Sequence, residues 1–138
     1  MNKLIRLSLS IEKSLFDRLQ AMVKRSGYTN RSEFVRDMVR QRIVEDEWDA
    51  NAEVIGTVTL VYDHHHPSLG ERLVDLQHEH HTTVLATTHV HLSHDLCAEM
   101  ILIRDKARNI QLLADALRQQ KGVLHAGLTM TSTGDSLA

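Results

Sequence analysis

Between Ile5 and Ile11 the chain alternates strictly: Ile5, Leu7, Leu9 and Ile11 are apolar, and Arg6, Ser8 and Ser10 between them are polar. Period two marks a strand with one buried face. No second strand follows it. Instead Leu15, Phe16, Leu19, Met22 and Val23 fall at helical spacing, which predicts an amphipathic helix over residues 12–26 with Gly27 at its C′ position. Asn30 with Glu33 three residues on resembles a capping box and opens a second helix carrying Phe34, Val35, Met38, Val39 and Ile43. The acidic stretch Glu45-Asp46-Glu47-Trp48-Asp49 reads as the end of that helix and as a linker or hinge. One strand and two short helices cannot cover their own apolar faces, and a lone strand leaves both edges unpaired. The economical solution is a dimer, in which two copies of the strand pair antiparallel and the helices pack around them. The polar face of that ribbon then presents Arg6, Ser8 and Ser10 from both chains.

Charge supports a separate role for this arm. Residues 1–44 hold ten Lys/Arg against four Asp/Glu, a net +6, whereas residues 45–138 hold six against fourteen, a net −8. A basic arm on an acidic body points to an anionic partner for the arm alone, and nucleic acid leads. A two-stranded ribbon fits the major groove of DNA, where Arg6 can fork onto guanine and Ser8 and Ser10 can meet base edges. The start of the second helix, at Asn30-Arg31-Ser32, offers free N–H groups to a phosphate. This is the ribbon-helix-helix (βαα) arrangement, and it is expected over residues 1–48.

The remainder reads as a second domain, residues 53–132, with 133–138 as a loose tail. Val54–Tyr62 is strand-like. Pro67 suits the first position of a helix through Leu69, Leu73 and Leu76. Thr83–Leu92 and Leu96–Arg104 are strand-like, Ile110, Leu113, Ala114 and Leu117 mark a helix closed by Gly122, and Leu124–Met130 alternates as a last strand. The order β-α-β-β-α-β is the ferredoxin-like arrangement, which makes the whole chain α+β.

Nine of the ten histidines lie between His64 and His94, and Cys97 is the single cysteine. His89-Val90-His91 places two imidazoles on one face of a strand. A turn at Ser93-His94-Asp95 brings Cys97 back beside His91 on the next strand. Two nitrogens and a thiolate converging on one point are a transition-metal site. A fourth ligand from His78, His80 or His81 would close it, and spacing does not choose among the three. Three imidazoles and a thiolate suit zinc in a tetrahedron, or copper or nickel in a square plane. A closed four-ligand site argues against hydrolysis, which needs a position for water. His64-His65-His66 reads first as an exposed loop and second as a weak accessory metal site. His125 stands alone and reads as structural.

The two halves together resemble the nickel-responsive regulator family. The resemblance is carried by Arg6 to Ser10, by Gly27 to Glu33 with Arg36-Asp37, and by Gln77-His78 and His89-Val90-His91 through His94-Asp95-Leu96-Cys97. It implies a ribbon-helix-helix arm joined to an ACT-like regulatory domain, in a homotetramer built as a dimer of dimers. It implies one nickel ion per subunit in a square plane, held by His89, His91 and Cys97 of one subunit and His78 of another. It also implies DNA reading by Arg6, Ser8 and Ser10, and a second cation such as potassium between the domains, at Glu33 and Asp37. The expected activity is repression of nickel-uptake genes at a near-palindromic operator on double-stranded DNA. A metal storage or trafficking protein is the alternative; it would explain the histidines but not the basic ribbon. A metallo-hydrolase and an antitoxin-like DNA binder are weaker readings. With no long apolar run, no secretory pattern and a lone cysteine, the expected location is cytoplasmic, with neither membrane nor small organic substrate as partner.

Overall fold

The computed structural model describes residues 3–80 and 83–138. The chain divides into two compact units, one comprising residues 1–43 with 136–138 and the other residues 44–135.

In the first unit, α1 spans Lys13–Arg25 and α2 spans Arg31–Asp49. Gly27 follows α1 at a φ of +72°, the left-handed conformation that ends a helix cheaply only at glycine. Asn30 Oδ1 accepts the Glu33 amide at 2.8 Å, so the expected cap opens α2. Residues 3–12 carry no hydrogen-bonded secondary structure within the single chain. Leu4, Ile5, Leu7 and Leu9 are 75–84% exposed. Among the described residues of this unit none is buried. Two helices and an arm with no interior gain little from burial to set against their ordering entropy, which is the situation the expected pairing of two arms would relieve.

The acidic stretch 45–49 forms the end of α2, as expected, and is helical rather than an irregular linker. α2 runs on to Asp49, and Trp48 is buried in the core of the second unit, with its Nε1–H donating to the Thr131 carbonyl at 2.9 Å. Burial of one indole outweighs a poor helix end: carboxylates at the negative end of the helix dipole cost only fractions of a kcal/mol each, whereas burying a large aromatic contributes several times that.

The second unit contains β1 (Glu53–Asp63), α3 (Leu69–Glu79), β2 (Val84–His91), β3 (Leu96–Lys106), α4 (Ala107–Arg118) and β4 (Val123–Thr131). The strands form one antiparallel sheet in the order β2-β3-β1-β4. Helix α3 begins two residues after Pro67, at Leu69. Ser68, left-handed at φ 60°, intervenes as N-cap. One face of the sheet is buried, by Val54, Val58, Leu60 and Tyr62 of β1 and by Cys97, Ile101 and Ile103 of β3; Ile110, Leu113 and Leu117 of α4 and Leu69 and Leu73 of α3 share that core. Among the described residues no helix is long and apolar enough to cross a membrane.

Candidate metal centre

The register of three strands builds the centre. Residues directly opposite in antiparallel strands share a face. Cys97 lies opposite Tyr62 on β1 and opposite His91 on β2, and Glu99 lies opposite Leu60 and His89. Two neighbouring rungs therefore put His89, His91, Cys97, Glu99 and Tyr62 on one side of the sheet. One nitrogen from each of His89 and His91 and the sulfur of Cys97 lie within 4.8 Å of one another. His91 Nδ1 is 3.3 Å from Cys97 Sγ. That spacing suits adjacent ligands on a first-row ion, whose bonds are about 2.0–2.1 Å to nitrogen and about 2.3 Å to sulfur. Cys97 is fully buried while both imidazoles are exposed, so the pocket is walled on the core side and open on the other.

Four flanking residues escape a reading of spacing alone. The Tyr62 hydroxyl lies 3.5 Å from His89 Nε2. Burial, and then the nearby charges of Glu99 and Cys97, push its pKa up to about 12, so it keeps its proton at neutral pH. Glu99 is a buried carboxylate, and its Oε1 accepts from the Gln77 side-chain amide at 3.1 Å. Gln77 Oε1 in turn accepts from the Thr87 hydroxyl at 2.8 Å. This chain of contacts fastens the last turn of α3 to β2 and β3. The signal for it was Gln77 beside His78, but only the register shows that Glu99 is in reach.

His78 sits in that last turn and is not part of the three-residue cluster within one chain. The ring of His80 bonds the Leu76 carbonyl at 2.8 Å as part of the helix end. His81 lies outside the described residues. The histidine run divides. The His64 and His65 rings lie 3.9 Å apart between centroids, tilted by 38°, and His64 also meets His91 edge-on at 5.8 Å. His66 turns the other way, against Gly122, where an added Cβ would lie 2.7 Å from its ring. His65, His94 and Asp95 form a second group whose ligand atoms lie within 4.8 Å of one another. His94 and then the histidines at 65 and 64 hold the Asp95 carboxyl below the usual carboxylate range.

On the arm, Arg6, Ser8 and Ser10 are exposed. Asn30 is spent on the cap, and Arg31 lies over the Phe16 ring at 5.2 Å. Glu33 and Asp37 are bridged by Arg40, whose Nη1 is 3.2 Å from Glu33 Oε1 and 2.6 Å from Asp37 Oδ1. Asp37 also accepts from the Tyr28 hydroxyl, and Glu33 pairs with Arg36. The carboxylates matched to a cation site thus already share an arginine. Arg40 further donates from Nε to the Leu137 carbonyl at 3.3 Å, which draws the C-terminal residues into this unit.

Sequence comparison gives the arrangement its context. Residues 55–131 match the NikR C terminal nickel binding domain. A nickel-responsive regulator of Solibacter usitatus is 44% identical over 135 residues, covering 97% of each chain. The chain belongs to the nickel-responsive regulator family. A second member, from Geobacter sulfurreducens, is 43% identical over 138 residues, covering 99% of both chains. Residues 5–46 match the ribbon-helix-helix proteins of the copG family. An uncharacterised Thermotoga maritima protein of known structure superposes with a TM-score of 0.52 at 14% identity, covering 56% of this chain and 96% of its own, which speaks to fold alone. The family is one of regulators, not enzymes: its arm is a DNA-binding, oligomerising module and its body binds nickel.

Proposed function

We propose that this nickel-responsive regulator represses nickel-uptake genes when nickel is bound, with His89, His91 and Cys97 of one subunit and His78 of another as ligands. The observation that carries the reading is the convergence of two imidazole nitrogens and a buried sulfur within 4.8 Å. Borderline nitrogen donors with one soft thiolate suit nickel, copper and zinc and disfavour magnesium or calcium. The fourth donor is His78 of a neighbouring subunit in a homotetramer, as the likeness to the nickel-responsive regulators implies; its place in the last turn of α3, beside Gln77, supports the reading. When bound, the ion supplies a cross-link between subunits.

The chain's own residues do the rest. Cys97 and the two histidines present their donors from adjacent rungs. Gln77, held by Glu99 and Thr87, fixes the helix turn that carries His78. A site divided between chains is complete in only one quaternary arrangement, so ligand affinity and arrangement are coupled, and the coupling acts on DNA only through their difference. The DNA-binding ribbon is formed by two arms, with Arg6, Ser8 and Ser10 reading bases at a near-palindromic operator and Asn30 and Arg31 near the phosphates. A second cation at Glu33 and Asp37 would compete with Arg40 for both carboxylates.

Titration with nickel(II) followed by absorbance tests this. Wild-type protein should give a thiolate-to-nickel charge-transfer band that rises to one ion per chain at that centre, together with nickel-dependent operator retention. Cys97→Ser should lose both. Arg6→Ala should keep the band and lose operator discrimination, on the order of 1–3 kcal/mol for a bidentate base contact. Nickel-dependent DNA binding that survives Cys97→Ser refutes the coupling. A storage protein would bind nickel with no effect on DNA.

A further inference from the structure

A second cluster of metal-ligating side chains lies outside this centre. We infer that His65, His94 and Asp95 form an outer site for a borderline divalent cation, water-exposed and separate from the thiolate centre. His65 Nε2 and His94 Nδ1 both address the same carboxylate oxygen, Asp95 Oδ1, at 3.1 and 3.0 Å. Ligands bonded at about 2.0–2.2 Å around one ion stand roughly 3.0–3.4 Å apart, so these two spacings already match those of neighbouring ligands. The third pair lies within 4.8 Å. Two imidazoles and a carboxylate select nickel, copper, zinc or iron over magnesium or calcium, which take oxygen ligands.

The backbone holds the two contributing loops together. The His64 amide donates to the Asp95 carbonyl at 3.1 Å, and the His64 ring lies 2.6 Å from the His94 carbonyl oxygen. The His65 amide donates to Asp63 Oδ1 at 2.9 Å, and Ser93 Oγ accepts from the amides of Asp95 and Leu96 at 3.3 and 3.2 Å. The loop after β1 and the β2–β3 turn are therefore fixed against each other before any ion arrives. Exposed His–Asp pairs of this kind contribute little to stability, so folding alone does not call for them. In the unliganded protein each ring donates an N–H to the carboxylate; an ion would take the place of both protons.

The side chains of His65, Asp95 and His94 are 50%, 68% and 88% exposed. Water completes the coordination, so this site is weaker than a closed one and exchanges readily. Its donors are distinct from those of the inner centre, and it contains no sulfur.

Equilibrium dialysis against nickel(II) chloride in a non-coordinating buffer, read beside the absorbance titration, separates the two. Wild type should take up two ions per chain, only the first of which changes the charge-transfer band. His94→Ala and Asp95→Ala should each lose the second ion at nickel concentrations that saturate wild type, with the band unchanged; the band also serves as the folding control. Cys97→Ser should lose the band and keep one ion. A wild-type protein that saturates at one ion, or a second ion that persists in both His94→Ala and Asp95→Ala, overturns the outer site. Absence of the charge-transfer band in wild type would refute the inner centre instead.

Discussion

Trp48 is the residue on which the end of α2 depends, and its removal gives a graded prediction. The last turn of that helix carries Glu45, Asp46, Glu47 and Asp49 at the negative end of the helix dipole, where each carboxylate works against helix formation. The indole is 6% exposed, packs in the core of the body and donates to the Thr131 carbonyl at 2.9 Å. Trp48→Phe retains most of the apolar contact but removes the donor. Because Thr131 is exposed and water can take the acceptor, the cost falls at the low end of an orphaned hydrogen bond, about 1 kcal/mol, or about 4–8 °C in melting temperature for a domain of this size. Trp48→Ala also leaves a cavity and costs about 3–5 kcal/mol, a large share of the roughly 5–15 kcal/mol that hold a domain together. Urea unfolding followed by far-UV circular dichroism measures both, since the protein has no other tryptophan and the variants lose its fluorescence. Amide exchange should show residues 45–49 losing protection in Trp48→Ala before the sheet does. A Trp48→Ala variant within about 1 kcal/mol of wild type, with residues 45–49 still protected, refutes the argument that indole burial overrides the dipole.

Two further expectations are independent of it. Gly122 has a φ of +96°, and an added Cβ would lie 2.7–2.8 Å from His66 and Leu69. Gly122→Ala should therefore cost about 2–4 kcal/mol in the same unfolding assay, as backbone strain and overpacking together. In the arm, the Tyr28 hydroxyl and then the Arg40 guanidinium hold the Asp37 carboxyl below the usual range. A depressed folded-state pKa means the stabilisation is present above the unfolded value near 3.9 and is lost only as pH falls through the lower, folded one. Carboxyl NMR should show the Asp37 titration moving up toward ordinary values in Tyr28→Phe; an unchanged titration would rule out the tyrosine as the main cause.

Much of the architecture is legible in one sequence because its periods are clean. The β-α-β-β-α-β order follows from alternating and helical apolar patterns, and every predicted element of the body appears. The nearness of the His-x-His pair to Cys97 was legible because a short turn joins the two strands, and in the observed register His91 faces Cys97. What sequence could not supply was contact across elements distant in the chain. Tyr62 and Glu99 reach the centre only through the pairing of β1 with β3, and Asp95 reaches His65 only because two loops are pinned by backbone hydrogen bonds. The acidic stretch 45–49 was legible as the end of α2 but not as part of a packed body, because only the tertiary contact of Trp48 shows that it is more than a linker.

The arm without an interior has a consequence for dose. No described residue of 3–43 is buried in the single chain, so if two arms pair as proposed, the surface that grips DNA comes into being by a second-order event. Where chains are scarce, the number of competent ribbons grows as the square of their abundance, so halving synthesis would remove three quarters of them. A shortened chain that kept its arm but not its body would pair with intact partners and poison them.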